Sequence, residues 1–242
     1  MPPESPPASD RSNQSPNPPH SEAPPVPLRC NRIYLAVELL LLFVLGPLLL
    51  FVYRRSIGVF LIPALLAVAG FCMLLLLRDP AFDRGSLVRT GGFHRWLKQL
   101  PVTVLPGTAA LAAGCAVFRP DLLFSFASER TLIWLLVIVL YPLLSAVPQE
   151  IIFRTFFFHR YQRLFPNDIC MMLTNGVCFG LAHLFFGNWL APALTAAGGV
   201  IFARTYSRTG STLLVCLEHS LWGNFIFTIG LGWYFYTGSI TV

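Results

Sequence analysis

Apolar residues run almost unbroken through seven stretches of the chain: 33–53, 57–77, 100–118, 131–147, 169–186, 189–206 and 212–236. A helix needs about 20 mostly apolar residues to cross the hydrocarbon of a bilayer, so each stretch is predicted as a membrane span. The third is the weakest, with Pro101, Pro106 and Gly107 near its start. The last is long enough to be interrupted at Gly223 or Gly230. No internal repeat is visible, which disfavours an inverted-repeat transporter. The predicted fold is all-α, a polytopic transmembrane helix bundle of about seven spans.

The polar intervals sharpen this picture. Residues 1–28 hold half of the chain's 20 prolines, mixed with Ser, Asn and Glu. Such a segment buries too little apolar surface to fold and reads as a disordered tail. Residues 78–98 carry Arg78, Arg84, Arg89, Arg95 and Lys98, and are too polar to span. Phe93, Trp96 and Leu97 within them suggest a short interfacial helix or an ordinary loop. Arg154, Arg160 and Arg163 mark a second basic connection, and Arg204 and Arg208 a third. Basic loops stay in the cytoplasm, which places the N-terminus inside and the C-terminus outside. Arg54 and Arg55 break the pattern. The chain divides into the tail (1–28), N-terminal membrane helices with a cytoplasmic loop (29–130) and a C-terminal core (131–242).

Composition agrees with a membrane protein. Of 242 residues, 55% are hydrophobic and only 12% charged, where soluble domains average about 25% charged. The net charge of +6 therefore needs no nucleic acid, since basic residues at membrane ends set topology and meet anionic lipid. The six cysteines form no Cys-x-x-Cys pair and read as small core residues.

Five ionisable residues stand out inside or just beyond these apolar stretches: Glu150, Arg154, His183, Glu218 and His219. A charge at the bilayer centre costs roughly 2.5–3.5 kcal/mol even on lenient scales, so these groups are expected to face a polar interior. Glu150 and Arg154 are spaced i, i+4 on one helical face. Asn175, Phe179 and His183 recur every four residues and line one stripe. Glu218 and His219 are adjacent and point about 100° apart, so only one of them can serve the same site. His219 is the candidate, and Glu218 reads as a structural partner for Arg204 or Arg208.

One carboxylate and two imidazoles allow two mechanisms. In the first, Glu150 and His183 activate a water while His219, with an amide, stabilises the oxyanion. In the second, Glu150, His183 and His219 bind zinc or iron as a two-histidine, one-carboxylate set. No His-Glu-x-x-His and no Gly-x-Ser-x-Gly is present, which favours the metal-free version and disfavours a serine nucleophile. No cofactor is expected, with zinc as the alternative.

The order and spacing of these patches resemble the CAAX protease and bacteriocin-processing family of intramembrane glutamic endopeptidases. Its motifs are Glu-Glu-x-x-x-Arg, Phe-x-x-x-His and His-x-x-x-Asn. Phe179 and His183 match the second motif. Arg154 matches the first, with Glu150 as its second glutamate and Gln149 where the first belongs. His219 matches the third, but Gly223 stands at the asparagine position and Asn224 follows it. A helix break at Gly223 would bring Asn224 back toward His219.

The resemblance implies a polar cavity between the fourth, fifth and last spans, and hydrolysis of a peptide bond near the membrane surface. Catalysis would rest on Glu150, His183 and His219, supported by Gln149, Arg154 and Asn224. It further implies a peptide or membrane-protein substrate and location in a bacterial plasma membrane. The two departures leave a second reading open, a catalytically impaired scaffold or bacteriocin self-immunity protein of the same fold.

Overall fold

The computed structural model describes residues 31–235. The proline-rich tail, Cys30 and Tyr236 lie outside the described residues. Among the described residues the fold is all helical. Seven main helices follow in order: α1 (Arg32–Val52), α2 (Leu61–Arg78), α3 (Phe93–Phe118), α4 (Thr131–Leu164), α5 (Asp168–Phe186), α6 (Leu190–Thr209) and α7 (Thr212–Thr228). Five of them, α1 to α5, are long and apolar enough to cross a membrane. The expected count of seven is not confirmed, since α6 and α7 fall outside that group among the described residues. Only 17 residues make up α7, and Arg204 and Arg208 lie in α6.

Three expected boundaries move. Residues 93–98 are not a separate interfacial helix; they are the first turns of α3, which continues through Pro101 and Pro106, with Trp96 buried. Residues 154–163 are not a loop, because α4 runs on to Leu164. At about 1.5 Å per residue its 34 residues exceed the roughly 30 Å hydrocarbon core. Its basic end is neutralised from α1: Arg160 donates to both carboxylate oxygens of Glu38 (3.0 and 2.8 Å), and the Tyr161 hydroxyl donates to the same group at 2.9 Å. Finally, α7 is continuous through Gly223 and ends at Thr228. The reversal comes at Gly230, whose φ is +93°.

Two π-helical turns interrupt α4, at Pro142–Ala146 and Ile151–Phe156. Proline lacks an N–H and clashes with the preceding turn, and Pro142 and Pro148 both lie inside the helix. Wide turns accommodate such disruptions. In them the Val147 N–H reaches the Pro142 carbonyl and the Phe157 N–H reaches that of Ile152. Asn175 of α5 donates its amide to the Phe153 carbonyl within the second wide turn.

Tight turns place the last three helices. Asn167 caps α5 by accepting from the Cys170 N–H at 2.9 Å. Gly210 (φ +56°) closes α6 in the left-handed conformation, and Ser211 caps α7 through the Leu214 N–H. Gly176 and Gly180 let α5 lie directly on α6: a Cβ on Gly176 would fall 2.5 Å from Val200 Cγ2 and 2.9 Å from the Ala196 carbonyl oxygen. Small residues drive close helix contact in membranes. Gly176→Ala is therefore expected to cost roughly 1–3 kcal/mol, measured as a lower thermal midpoint in detergent.

A ladder of polar contacts runs along the seam between α4 and α7. Trp134 Nε1 donates to the Thr228 hydroxyl (3.1 Å), Asn224 Nδ2 to the Ile138 carbonyl (3.1 Å), and the Thr155 and Thr212 hydroxyls share a bond of 2.7 Å. The order is antiparallel, and its middle rung is the candidate site. The basic turns meet at one end, where Arg32 donates to the Leu164 carbonyl, Arg89 to that of Gly210, and Ser207 to Asp168. Beside them His159 hydrogen-bonds Asp79 at 2.8 Å and, with the Ala81 N–H, holds that carboxyl below its ordinary range.

Candidate active site

The middle rung joins α4 to α7 through fully buried charge. Glu150 and Arg154 are both 0% exposed, with Arg154 Nε 3.2 Å from Glu150 Oε2. The i, i+4 spacing allows this contact. Glu150 Oε1 lies 2.7 Å from His219 Nδ1. A carboxylate can only accept, so Nδ1 carries the hydrogen, and in the neutral form of the ring Nε2 is the acceptor. The Tyr141 hydroxyl is 2.9 Å from that Nε2 and donates to it. Arg154, Glu150, His219 and Tyr141 thus form one polar chain, from a guanidinium to a phenol.

Aromatic rings enclose the chain. His219 stacks on Phe202 with centroids 4.6 Å apart and meets the edge of Phe179 at 5.6 Å. Arg154 lies over the same two rings, 4.4 Å from Phe179 and 5.3 Å from Phe202, and donates to the Gly199 carbonyl at 3.1 Å. Cation–π contacts gain strength where water is absent. These contacts hold the guanidinium against the carboxylate without solvent.

His183 also packs against Phe179, with centroids 4.7 Å apart. Its Nδ1 is 2.7 Å from the Phe179 carbonyl. A carbonyl only accepts, so here too Nδ1 carries the hydrogen and Nε2 is the acceptor. Both imidazoles therefore pack on one phenyl ring, each with its tautomer fixed by a buried oxygen.

The remaining predicted residues take other places. Gln149 donates to the Ser145 hydroxyl at 2.9 Å, and its Oε1 is buried without a hydrogen-bond partner. Asn224 spends its amide on Ile138, one rung away from His219, because α7 does not break at Gly223. Glu218 points away from the chain, toward a small cavity it shares with Trp96, Arg204 and Thr205. Tyr141 was not among the predicted residues. The signal for it was a hydroxyl-bearing ring in an otherwise apolar run, next to Pro142.

Among the described residues, no three His, Cys, Asp or Glu side chains are grouped to hold a metal ion. The donor set fits poorly as well: Glu150 is directly bonded to the Nδ1 of His219, the relation of an orienting carboxylate to an imidazole rather than of two ligands to one cation.

A known family model matches part of the chain. Residues 131–226 match the model of the type II CAAX prenyl endopeptidase Rce1-like family. This stretch is an Rce1-like domain. No curated protein and no solved structure matches the chain. The Rce1-like domain contains Tyr141, Glu150, Arg154, His183 and His219, so the whole polar chain lies inside it. The match lies in a chain whose helices α1 to α5 are long and apolar enough to cross a membrane, which together describe an integral membrane protein carrying a domain similar to a protease family.

Proposed function

We propose that this chain is an intramembrane endopeptidase of the CAAX-protease type, hydrolysing a peptide bond near the membrane surface by a metal-free mechanism. The observation that carries the reading is the buried bond from Glu150 to His219 Nδ1 inside the Rce1-like domain. A carboxylate that fixes an imidazole tautomer leaves the opposite nitrogen ready to take a proton, as in hydrolase triads.

The sequence expectation gave Glu150 the proton of water directly. Because Glu150 is 0% exposed, we assign it to act through His219. His219 Nε2 takes a proton from water as the water oxygen adds to the peptide carbonyl carbon, and Glu150 balances the imidazolium charge. Collapse of the tetrahedral intermediate breaks the C–N bond, and the imidazolium returns its proton to the leaving amine. His183 Nε2 accepts the second hydrogen of the water and orients it. Gln149 replaces an acid with an amide whose unpaired Oε1 is a further acceptor for that water.

His183→Ala is expected to lower cleavage of a labelled prenylated peptide by roughly 10²–10⁴-fold, with the protein still inserting in membranes. A chelator is expected to leave cleavage unchanged. Loss of activity on chelation, restored by zinc, would overturn the metal-free assignment. We also place the basic end of the bundle, and with it the N-terminus, in the cytoplasm, and assign the chain to a bacterial plasma membrane. Protease accessibility in oriented vesicles tests the orientation.

A second reading, a scaffold or immunity protein that binds a peptide without cutting it, draws on Gln149 and on the complete burial of Glu150. It predicts peptide binding without turnover.

A further inference from the structure

We infer that Tyr141 is the oxyanion donor of this site, and that Gly223 exists to admit its ring. The inference rests on the proposed peptidase reading and adds a catalytic residue to it.

Three observations converge. The Tyr141 hydroxyl is bonded to His219 Nε2 at 2.9 Å, the nitrogen assigned to receive the proton of water. The ring is held on both sides by α7, edge to face with His219 (6.0 Å) and with Phe227 (5.3 Å). Between those two residues, a Cβ on Gly223 would fall 2.2 Å from Tyr141 Cε1 and 2.3 Å from its hydroxyl oxygen. Real atoms do not approach so closely, so any side chain at 223 and the Tyr141 ring exclude each other. The space beside His219 that a side chain from 223 would fill is filled instead by a phenol from α4. It carries a hydroxyl donor, as an oxyanion site requires.

The step balances without further reagents. In the resting site the Tyr141 O–H donates to Nε2. When the peptide binds, the phenol O–H swings from Nε2 to the carbonyl oxygen, which frees the single Nε2 lone pair for the attacking water. As water gives its proton to Nε2 and its oxygen adds to the carbonyl carbon, the carbonyl oxygen receives the π-electron pair, and its negative charge is met by that O–H. Tyr141 keeps its proton throughout. As the C–N bond breaks, the oxygen reforms its double bond, the imidazolium protonates the amine, and the O–H returns to Nε2.

The test uses the full-length protein in detergent and a fluorogenic prenylated peptide. Tyr141→Phe keeps the ring and its packing and removes only the donor. It is expected to lower kcat about 10²–10³-fold with KM within about twofold, and to lower the thermal midpoint only by the loss of one buried hydrogen bond. Tyr141→Ala loses at least as much, and adding Gly223→Asn in that background is expected to recover at least tenfold of kcat, because an amide from α7 then enters the emptied space. A purely structural ring would show no rescue by an amide.

Unchanged kcat in Tyr141→Phe, in a preparation whose wild type cuts the peptide, overturns the inference and leaves the peptidase reading intact. So does an equal rise in KM with kcat preserved, or absence of rescue in the double variant. A wild type that cuts no peptide sinks the peptidase reading itself, and this inference with it.

Discussion

Glu150→Gln is expected to abolish peptide cleavage almost completely, by roughly 10³–10⁴-fold in kcat/KM, in folded protein whose thermal midpoint is lowered by the unpaired Arg154. The reason is tautomer control rather than charge alone. Arg154 only donates, so the glutamine oxygen must turn to it and the amide NH₂ must face His219. Nδ1 can then only accept, and the ring proton moves to Nε2. In wild type, Nε2 accepts from Tyr141 at 2.9 Å and is assigned to take the proton of water; in the variant it can do neither. Initial rates on a labelled peptide, with circular dichroism and the thermal midpoint as controls, measure the effect. A variant with more than about a tenth of wild-type activity would remove Glu150 from the mechanism.

The second large effect concerns stability. Removing one partner of a fully buried ion pair leaves an uncompensated charge and costs about 3–5 kcal/mol. Arg154→Met is therefore expected to destabilise the protein by about that amount, seen as a large drop in thermal midpoint or a failure to purify. The double variant Glu150→Gln/Arg154→Met carries no orphan charge and is expected to regain much of the loss, though no activity. Additive losses in the double variant would mean that Arg154 stabilises through its contacts with Phe179, Phe202 and Gly199 and not through Glu150.

Much of the architecture was readable from hydrophobic pattern alone, because α1 to α5 are long and apolar. The stripe of Asn175, Phe179 and His183 was readable too, since α5 keeps an ordinary period through Ala182. The misreadings share a cause: pattern counts charges and breakers but not their partners. Arg154 to Arg163 read as a loop because Glu38, more than a hundred residues earlier, was not seen as the partner of Arg160. Pro101 and Pro106 made the third span read as the weakest, yet α3 passes through both.

Tyr141 shows the limit most clearly. Nine residues separate it from Glu150, which on a regular helix puts the two about 180° apart. The wide turn at Pro142–Ala146 changes that phase, and both side chains reach one imidazole. Gly223 read as a missing amide because its emptiness is meaningful only once the ring that occupies it is known.

The account stands or falls on whether this buried chain of groups cuts peptides. The most direct measurement incubates the purified wild-type protein and Glu150→Gln, side by side, with a prenylated C-terminal peptide in ¹⁸O-labelled water, and analyses the products by mass spectrometry. The account predicts a single cut by the wild type, with one ¹⁸O in the new carboxylate, and an intact peptide with the variant. An intact peptide with both proteins, or equal cleavage by both, would contradict it.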